Sequence, residues 1–369
     1  MAEASVINPK SENLPTSFVY IDLESVSNGH LSKEVRISKN EAPSRAQRKL
    51  QRGDVLFQMV RPYQKNNLYF DKEGEYVAST GYAQIRTTQN AQFIFQYFHN
   101  QKFVDRVMER CTGTSYPAIS SSDLGSIHIY QPEINEQQKI AQFLELLDSR
   151  IQTQNKIIEN LKAQMLGLQE QIFRRKIELK DKKGNNFPEW EFKNGGDLFF
   201  SHTNKNHNSD LPILAITQEQ GAVPRDLIDY QVSVTDKSVG SYKVVEVGDF
   251  IISLRSFQGG IEHSNYYGLC SPAYIILKNK IDVEKMFYKY YFKTSAYVKL
   301  LNQKLEGIRD GKMISYGYFS EIALPYPTIE EQKSIAMILS SFENKIKLER
   351  RIIEEYGKQK TYILKHLFI

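Results

Sequence analysis

Two stretches of the chain carry apolar residues in alternating steps of four and three. The first runs through positions 140, 144, 147, 151, 158, 161, 165, 168 and 172, interrupted by Gln154. The second runs through 335, 339, 342, 346, 353, 356, 363 and 367, with Glu349 and Lys360 at the places of Gln154 and Met165. Such spacing is a heptad seam and predicts two long helices. At ~1.5 Å per residue, about 40 residues give each a length of roughly 60 Å. Pro132 and Pro327 precede the two seams, and acidic residues gather in each first turn, where they suit the helix dipole. A seam of this width needs a partner. The economical one is the other copy, paired antiparallel so that a rod holds two globular domains apart. The alternative is that each helix joins a bundle with its own domain.

Ahead of each long helix the pattern changes to short alternating or apolar runs broken by Gly, Asn and Pro. In the first half these are FVYIDLESVSNG, GDVLFQMV and YVASTGYAQIR; in the second they are LPILAITQEQG, YKVVEVGDFIISL and LCSPAYIILK. They read as strands and turns. An amphipathic helix follows in each half, FIFQYFHNQKFVDRVMER or VEKMFYKYYFKTSAYVKLLNQK. The aromatic stripe on each is read as core packing.

The two halves are copies. PEINEQQKIAQFL at 132 and PTIEEQKSIAMIL at 327 agree at seven of thirteen positions, offset by 195 residues. RGDVLF at 52 and VGDFII at 247 repeat the offset, RPYQ at 61 answers RSFQ at 255, and SSSDLGSIHIYQP answers SYGYFSEIALPYP. Four matches in one order at nearly constant spacing indicate an internal duplication. The chain therefore reads as an α+β protein with two mixed globular domains, 1–131 and 184–326, each followed by a long helical segment, 132–183 and 327–369.

Composition adds limits. The chain has 369 residues, 41% of them hydrophobic, enough to bury two cores. Two cysteines are too few for a disulfide framework, and neither a signal peptide nor an 18-residue apolar run is present. Together these point to a reducing cytoplasm and away from membranes. The net charge of +5 is spread thinly, with +2 on residues 1–131 and −1 on 184–326. One segment departs from this: residues 33–52 carry seven basic and two acidic side chains. Nucleic acid is a possible partner on these grounds, but charge alone does not dictate it.

With the repeated PxIxEQ phrase, FPEWEF at 187–192 and the glycine–aspartate–strand–arginine pattern at Gly53–Arg61 and Gly248–Arg255, the chain resembles the specificity (S) subunits of type I restriction–modification systems. The resemblance covers nearly the whole chain. It implies two target recognition domains in a circular pseudo-repeat, each reading one half of a bipartite asymmetric site in double-stranded DNA. It further implies two methylating subunits and two motor-nuclease subunits as partners, which would carry S-adenosylmethionine, ATP and Mg. The first half departs from the pattern: it opens almost directly at FVYIDL, without a counterpart to FPEWEFKNGGDLFFSHTNKN, and Trp190 is the single tryptophan.

No chemistry competes with that reading. The glycine-rich and Asn/Asp-Pro-Pro-aromatic elements of an adenine methyltransferase are absent, as are a P-loop, a PD…(D/E)xK cluster, HExxH and Cys/His ligand spacing. The chain is thus expected to be no enzyme and to bind no metal or cofactor itself. Base reading calls for Arg, Lys, Asn and Gln on loops. Arg61, Gln64, Lys65 and Asn66 follow a strand in the first half, and Arg255 and Gln258 hold the same place in the second. Either these arginines contact DNA or they tie a strand end to an acidic neighbour. Arg45, Arg48 and Lys49 could grip phosphates or form a solvated face, and Lys205 and Lys312 are weaker candidates. Glu136, Gln137, Glu331 and Gln332, expected to be exposed, would suit two matching partner sites. A scaffold that organises proteins without reading DNA is the alternative function.

Overall fold

The computed structural model describes residues 5–27, 29–228, 239–303 and 314–368. The chain divides into two compact units, Met1–Ile157 with Glu349–Ile369, and Ile158–Leu348. The two seams form helices Ile134–Phe173 and Ile329–Leu367. Each begins two residues after its proline, which cannot donate a backbone hydrogen bond and fixes the entry of the chain.

In the first unit, an antiparallel four-stranded sheet orders Ser5–Ile7, Tyr82–Thr87, Val55–Gln58 and Leu68–Tyr69. Ser5–Ile7 pairs along Tyr82–Thr87, so the first half does not begin at FVYIDL as a folded body. Its opening strand is three residues long and too short to show alternation. A second sheet orders Val35–Ser38, Ser17–Ile21, Tyr76–Ser79 and Ala46–Lys49, with the central pair parallel. In the second unit, Phe199–His202, Ile275–Asn279, Phe250–Ile252 and Glu262–His263 take up the first sheet's order. Leu214–Thr217 pairs with Gly221–Pro224 and Lys243–Val245 with Gly268–Cys270. The second unit also holds a ribbon of Glu191–Asn194 with Ala323–Tyr326. Among the described residues no strand lies at the corresponding 128–131.

The glycine–aspartate signature makes the same turn twice. Gly53 (φ 91°) and Gly248 (φ 89°) occupy the left-handed region, which an L side chain enters at a cost. Asp54 Oδ2 then accepts the Gln51 N–H at 2.7 Å and Asp249 Oδ2 the Glu246 N–H at 2.8 Å. The predicted amphipathic helix is broken in both units. Ala91–Tyr97 and Gln101–Met108 are separated because Asn100 accepts the Phe103 N–H and caps the second helix. Lys285–Tyr291 and Ser295–Gln303 are separated where Thr294 accepts the Tyr297 N–H. Both residues compete for backbone groups and so favour caps over helix interiors.

The long helices pair antiparallel within each unit. In the first, Lys360 Nζ meets Asp148 at 2.5 Å, and Gln154 donates to Glu349. The second contact joins a residue to its own counterpart in the repeat. In the second unit, Arg175 pairs with Glu331 at 3.0 Å, and Met165, Leu168 and Ile172 share a core with Ile335 and Leu339. Each core is completed by the far end of a helix: Phe368 packs on Phe93 (5.3 Å between ring centroids) and Tyr97 (4.9 Å) in the first unit. Phe173 packs on Phe287 (5.2 Å) and Tyr291 (5.5 Å) in the second. The aromatic stripes are core, as their spacing predicts.

Candidate nucleic-acid interface

After Val55–Gln58 the first unit's chain turns through a single 3-10 turn, Pro62–Gln64. The buried Gln58 side chain organises it, donating to Val60 O (2.7 Å) and Gln64 Oε1 (2.9 Å) and accepting the Asn66 N–H (3.1 Å). Asn67 is buried and accepts the Gln58 N–H at 2.9 Å. The Gln64 carboxamide and the Asn66 backbone are thus both tied to the loop's internal frame. Lys65 is bound inward, to His99 O (3.2 Å) and Gln101 Oε1 (2.8 Å). Burial lowers its pKa, partly countered by Asp105. Lys65 therefore holds the loop to the helical layer and is not free to reach a base edge.

Arg61 differs. Its backbone lies at φ 54°, ψ 54°, and its guanidinium carbon sits 4.2 Å from the centroid of the Tyr116 ring. In the second unit, Arg255 precedes the one-turn helix Ser256–Gly259 with φ −110°, so the two loops share a layout and differ in backbone. Lys293 Nζ fastens this turn at Gly259 O (2.9 Å) and pairs with the buried Glu262 (2.5 Å), while Asn302 donates to Phe257 O (2.6 Å). Burial lowers Lys293 and raises Glu262, and their mutual attraction opposes both shifts. Arg255 and Gln258 are exposed on that fastened turn. Among the described residues neither Arg61 nor Arg255 pairs with a carboxylate.

The basic segment contributes an edge strand of the first unit's other sheet. Arg45 is exposed beside the edge strand Ala46–Lys49. Arg48 and Lys49 on that strand are half-buried; burial lowers the Arg48 pKa, and Lys49 lies 3.5 Å from Glu75. Lys205 is exposed, and Lys312 lies outside the described residues.

The expectation of exposure holds for Glu136 but fails for Gln137, Glu331 and Gln332, which are 1%, 1% and 0% exposed. Gln137 donates to Pro132 O (2.8 Å) and Gln89 Oε1 (2.8 Å) and accepts the Asn90 N–H (3.1 Å). Gln332 donates to Pro327 O (2.8 Å) and accepts the Glu284 N–H (2.9 Å). Asn90 and Glu284 are the N-caps of the aromatic helices. The duplicated glutamine therefore clamps each long helix to the domain it leaves. Glu331 is paired with Arg175, which also lies 4.9 Å from the Trp190 ring. Burial raises the Glu331 carboxyl, against the pull of Arg175.

Among the described residues no group of His, Cys, Asp and Glu is placed to hold a metal ion, and no helix is long and apolar enough to cross a membrane. A family model described as the type I restriction modification DNA specificity domain matches twice, over residues 5–163 and 182–356. The chain is 27% identical over 289 residues to a putative type I restriction enzyme MjaX specificity subunit of Methanocaldococcus jannaschii, covering 74% of this chain and 65% of that protein. That is just under two thirds of the relative's length. The MjaVIII specificity subunit of the same organism is 24% identical over 378 residues, covering 96% of this chain and 85% of its own. A crystal structure of the type I restriction-modification S subunit from M. genitalium superimposes with a TM-score of 0.58 at 13% identity, covering 100% of this chain and 94% of that one. A chain from a study of type I R-M complex assembly and conformational transition gives 0.58 at 22% identity, covering 98% and 94%. These two likenesses concern the fold.

Proposed function

The chain belongs to the type I restriction modification DNA specificity family, and from that premise we propose that it reads a bipartite, asymmetric site in double-stranded DNA, one half-site per domain. The observation that carries the reading is the pair of unneutralised arginines, Arg61 and Arg255, on matching loops of two duplicated domains. An unpaired guanidinium on a fastened loop is what base readout asks for. Arg45 and Arg48 would hold phosphates in the first domain, and Gln258 would support Arg255 in the second. The chain itself performs no reaction; methyl transfer and cleavage fall to two methylating and two motor-nuclease subunits, which bring S-adenosylmethionine, ATP and Mg.

Docking of the methylating subunits falls on the outer faces of the long helices. Glu136 is exposed there, and Phe143, Tyr362 and Leu367 stand exposed along an apolar groove of the first unit. Gln137 holds the first long helix to its own domain, and Glu331 and Gln332 hold the second to its own.

The test is co-purification with a cognate methylating subunit, followed by single-molecule sequencing of DNA modified by the complex. Methyladenine in a split motif with a fixed gap is the expected result. A stable complex that binds and modifies no DNA would refute the reading in favour of a scaffold.

A further inference from the structure

The segment around Tyr116 is sewn to the Arg61 loop. The Arg61 N–H donates to Pro117 O at 2.7 Å, the Ile119 N–H to Met59 O at 3.1 Å, and Val60 bridges Ala118. Gly113, at φ 90°, turns the segment, and a Cβ there would stand 3.1 Å from Tyr116 O. These bonds hold Arg61 in the left-handed region, which is costly for any residue but glycine and persists only when the surroundings enforce it. Tyr116 is 65% exposed, so its ring contributes little to a core. What it does instead is cover one face of the Arg61 guanidinium. Arg61 Nε is buried without a hydrogen-bond partner. Among the described residues the terminal nitrogens also carry neither a hydrogen bond nor an ion pair.

A guanidinium stacked on a ring keeps its N–H edge available while losing the freedom to swing. That edge matches the O6/N7 pair of guanine in the major groove. Resting on the DNA-reading assignment above, we infer that Arg61 reads a guanine in the half-site of the first domain and that Tyr116 is the residue that positions it. Arg255 has no such platform among the described residues and is placed by its turn alone.

The experiment compares wild type, Arg61→Lys, Tyr116→Ala and Tyr116→Phe in complex with the methylating subunit, by sequencing the methylated sites. Lysine keeps the charge and removes the fork; phenylalanine keeps the stacking surface. Wild type should show a G·C pair at a fixed position of one half-site. Arg61→Lys and Tyr116→Ala should each relax that position by roughly tenfold or more, with the other half-site untouched, and Tyr116→Phe should leave it intact. Uniformly lower methylation with unchanged base preference in Tyr116→Ala would overturn the positioning role. Relaxation at an A·T position in Arg61→Lys would overturn the guanine assignment. A wild-type complex with no split motif would overturn both this inference and the reading on which it rests.

Discussion

Replacing Gln332 by Ala removes a side chain that is 0% exposed and joins three pieces of the second unit. The Pro327 carbonyl loses its donor and the Glu284 N–H, at the N-cap of Lys285–Tyr291, loses its acceptor. Each net hydrogen bond is worth ~1 kcal/mol, and a buried group left unpaired costs about 1–3 kcal/mol. Glu284 is only half-buried, so water recovers part of its share. The sum is about 2–3 kcal/mol. For a unit of this size that lowers Tm by roughly 5–10 °C. Gln137→Ala should do the same in the first unit, where Asn90, Gln89 and Pro132 lose their partner. Glu136→Ala, one residue away and exposed, should leave Tm within about 1 °C, as surface changes usually do. Calorimetry on the isolated chain, alongside pull-down of a methylating subunit, separates clamp from docking residue. If Gln332→Ala and Gln137→Ala melt like wild type and lose only the partner, the clamp is refuted.

Four further outcomes are expected. Burial lowers the pKa of His99 and His263 to about 4, so both fold neutral. Because the folded pKa lies below the unfolded value, their contribution is complete above pH ~6.5 and is lost as pH falls toward 4; each should cost roughly 1–2 kcal/mol by pH 5, read from urea denaturation at stepped pH. Phe368→Ala should destabilise by about 3 kcal/mol through the lost contacts with Phe93 and Tyr97, and unchanged urea melts would contradict the helix-end closure. Gly260→Ala should be poorly tolerated, since φ is 83° and a Cβ would stand 1.9 Å from Phe292 O; Gly184→Ala, with φ 87° and open space, should cost only ~1 kcal/mol. Gln154→Leu with Glu349→Leu should keep or raise Tm, because a polar pair in a seam gives register at a cost in stability; a fall of several degrees would contradict this.

The long helices were legible because burial imposes a period: the seam at 140–172 and 335–367 is a physical requirement of two helices meeting side by side. The repeat was legible for the same reason, twice over. Polar positions inside the first turn carried no such signal. Gln137, Glu331 and Gln332 read as surface because side chains of these types mostly lie there, and only the approach of Asn90, Glu284 and Arg175 from elsewhere in the chain makes them interior. The breaks at Asn100 and Thr294 were hidden within continuous aromatic stripes, although both are capping residues. Arg61 stood out as a candidate from its loop and its repeat. Tyr116 did not, since it lies fifty-five positions further along the chain and no local pattern joins them. Gln58 was missed too, being a polar residue buried at the end of an apolar strand.

The closure of the first unit by Phe368 bears on how the protein is born. A ribosome delivers residues in order, and the first unit needs 349–368 while the second is complete by Leu348. At about 5–20 residues per second, the intervening 191 residues take on the order of 10–40 s to make. Through that interval the nascent first unit lacks the Phe368 ring that packs on Phe93 and Tyr97. A late frameshift would accordingly spoil the domain that was synthesised first.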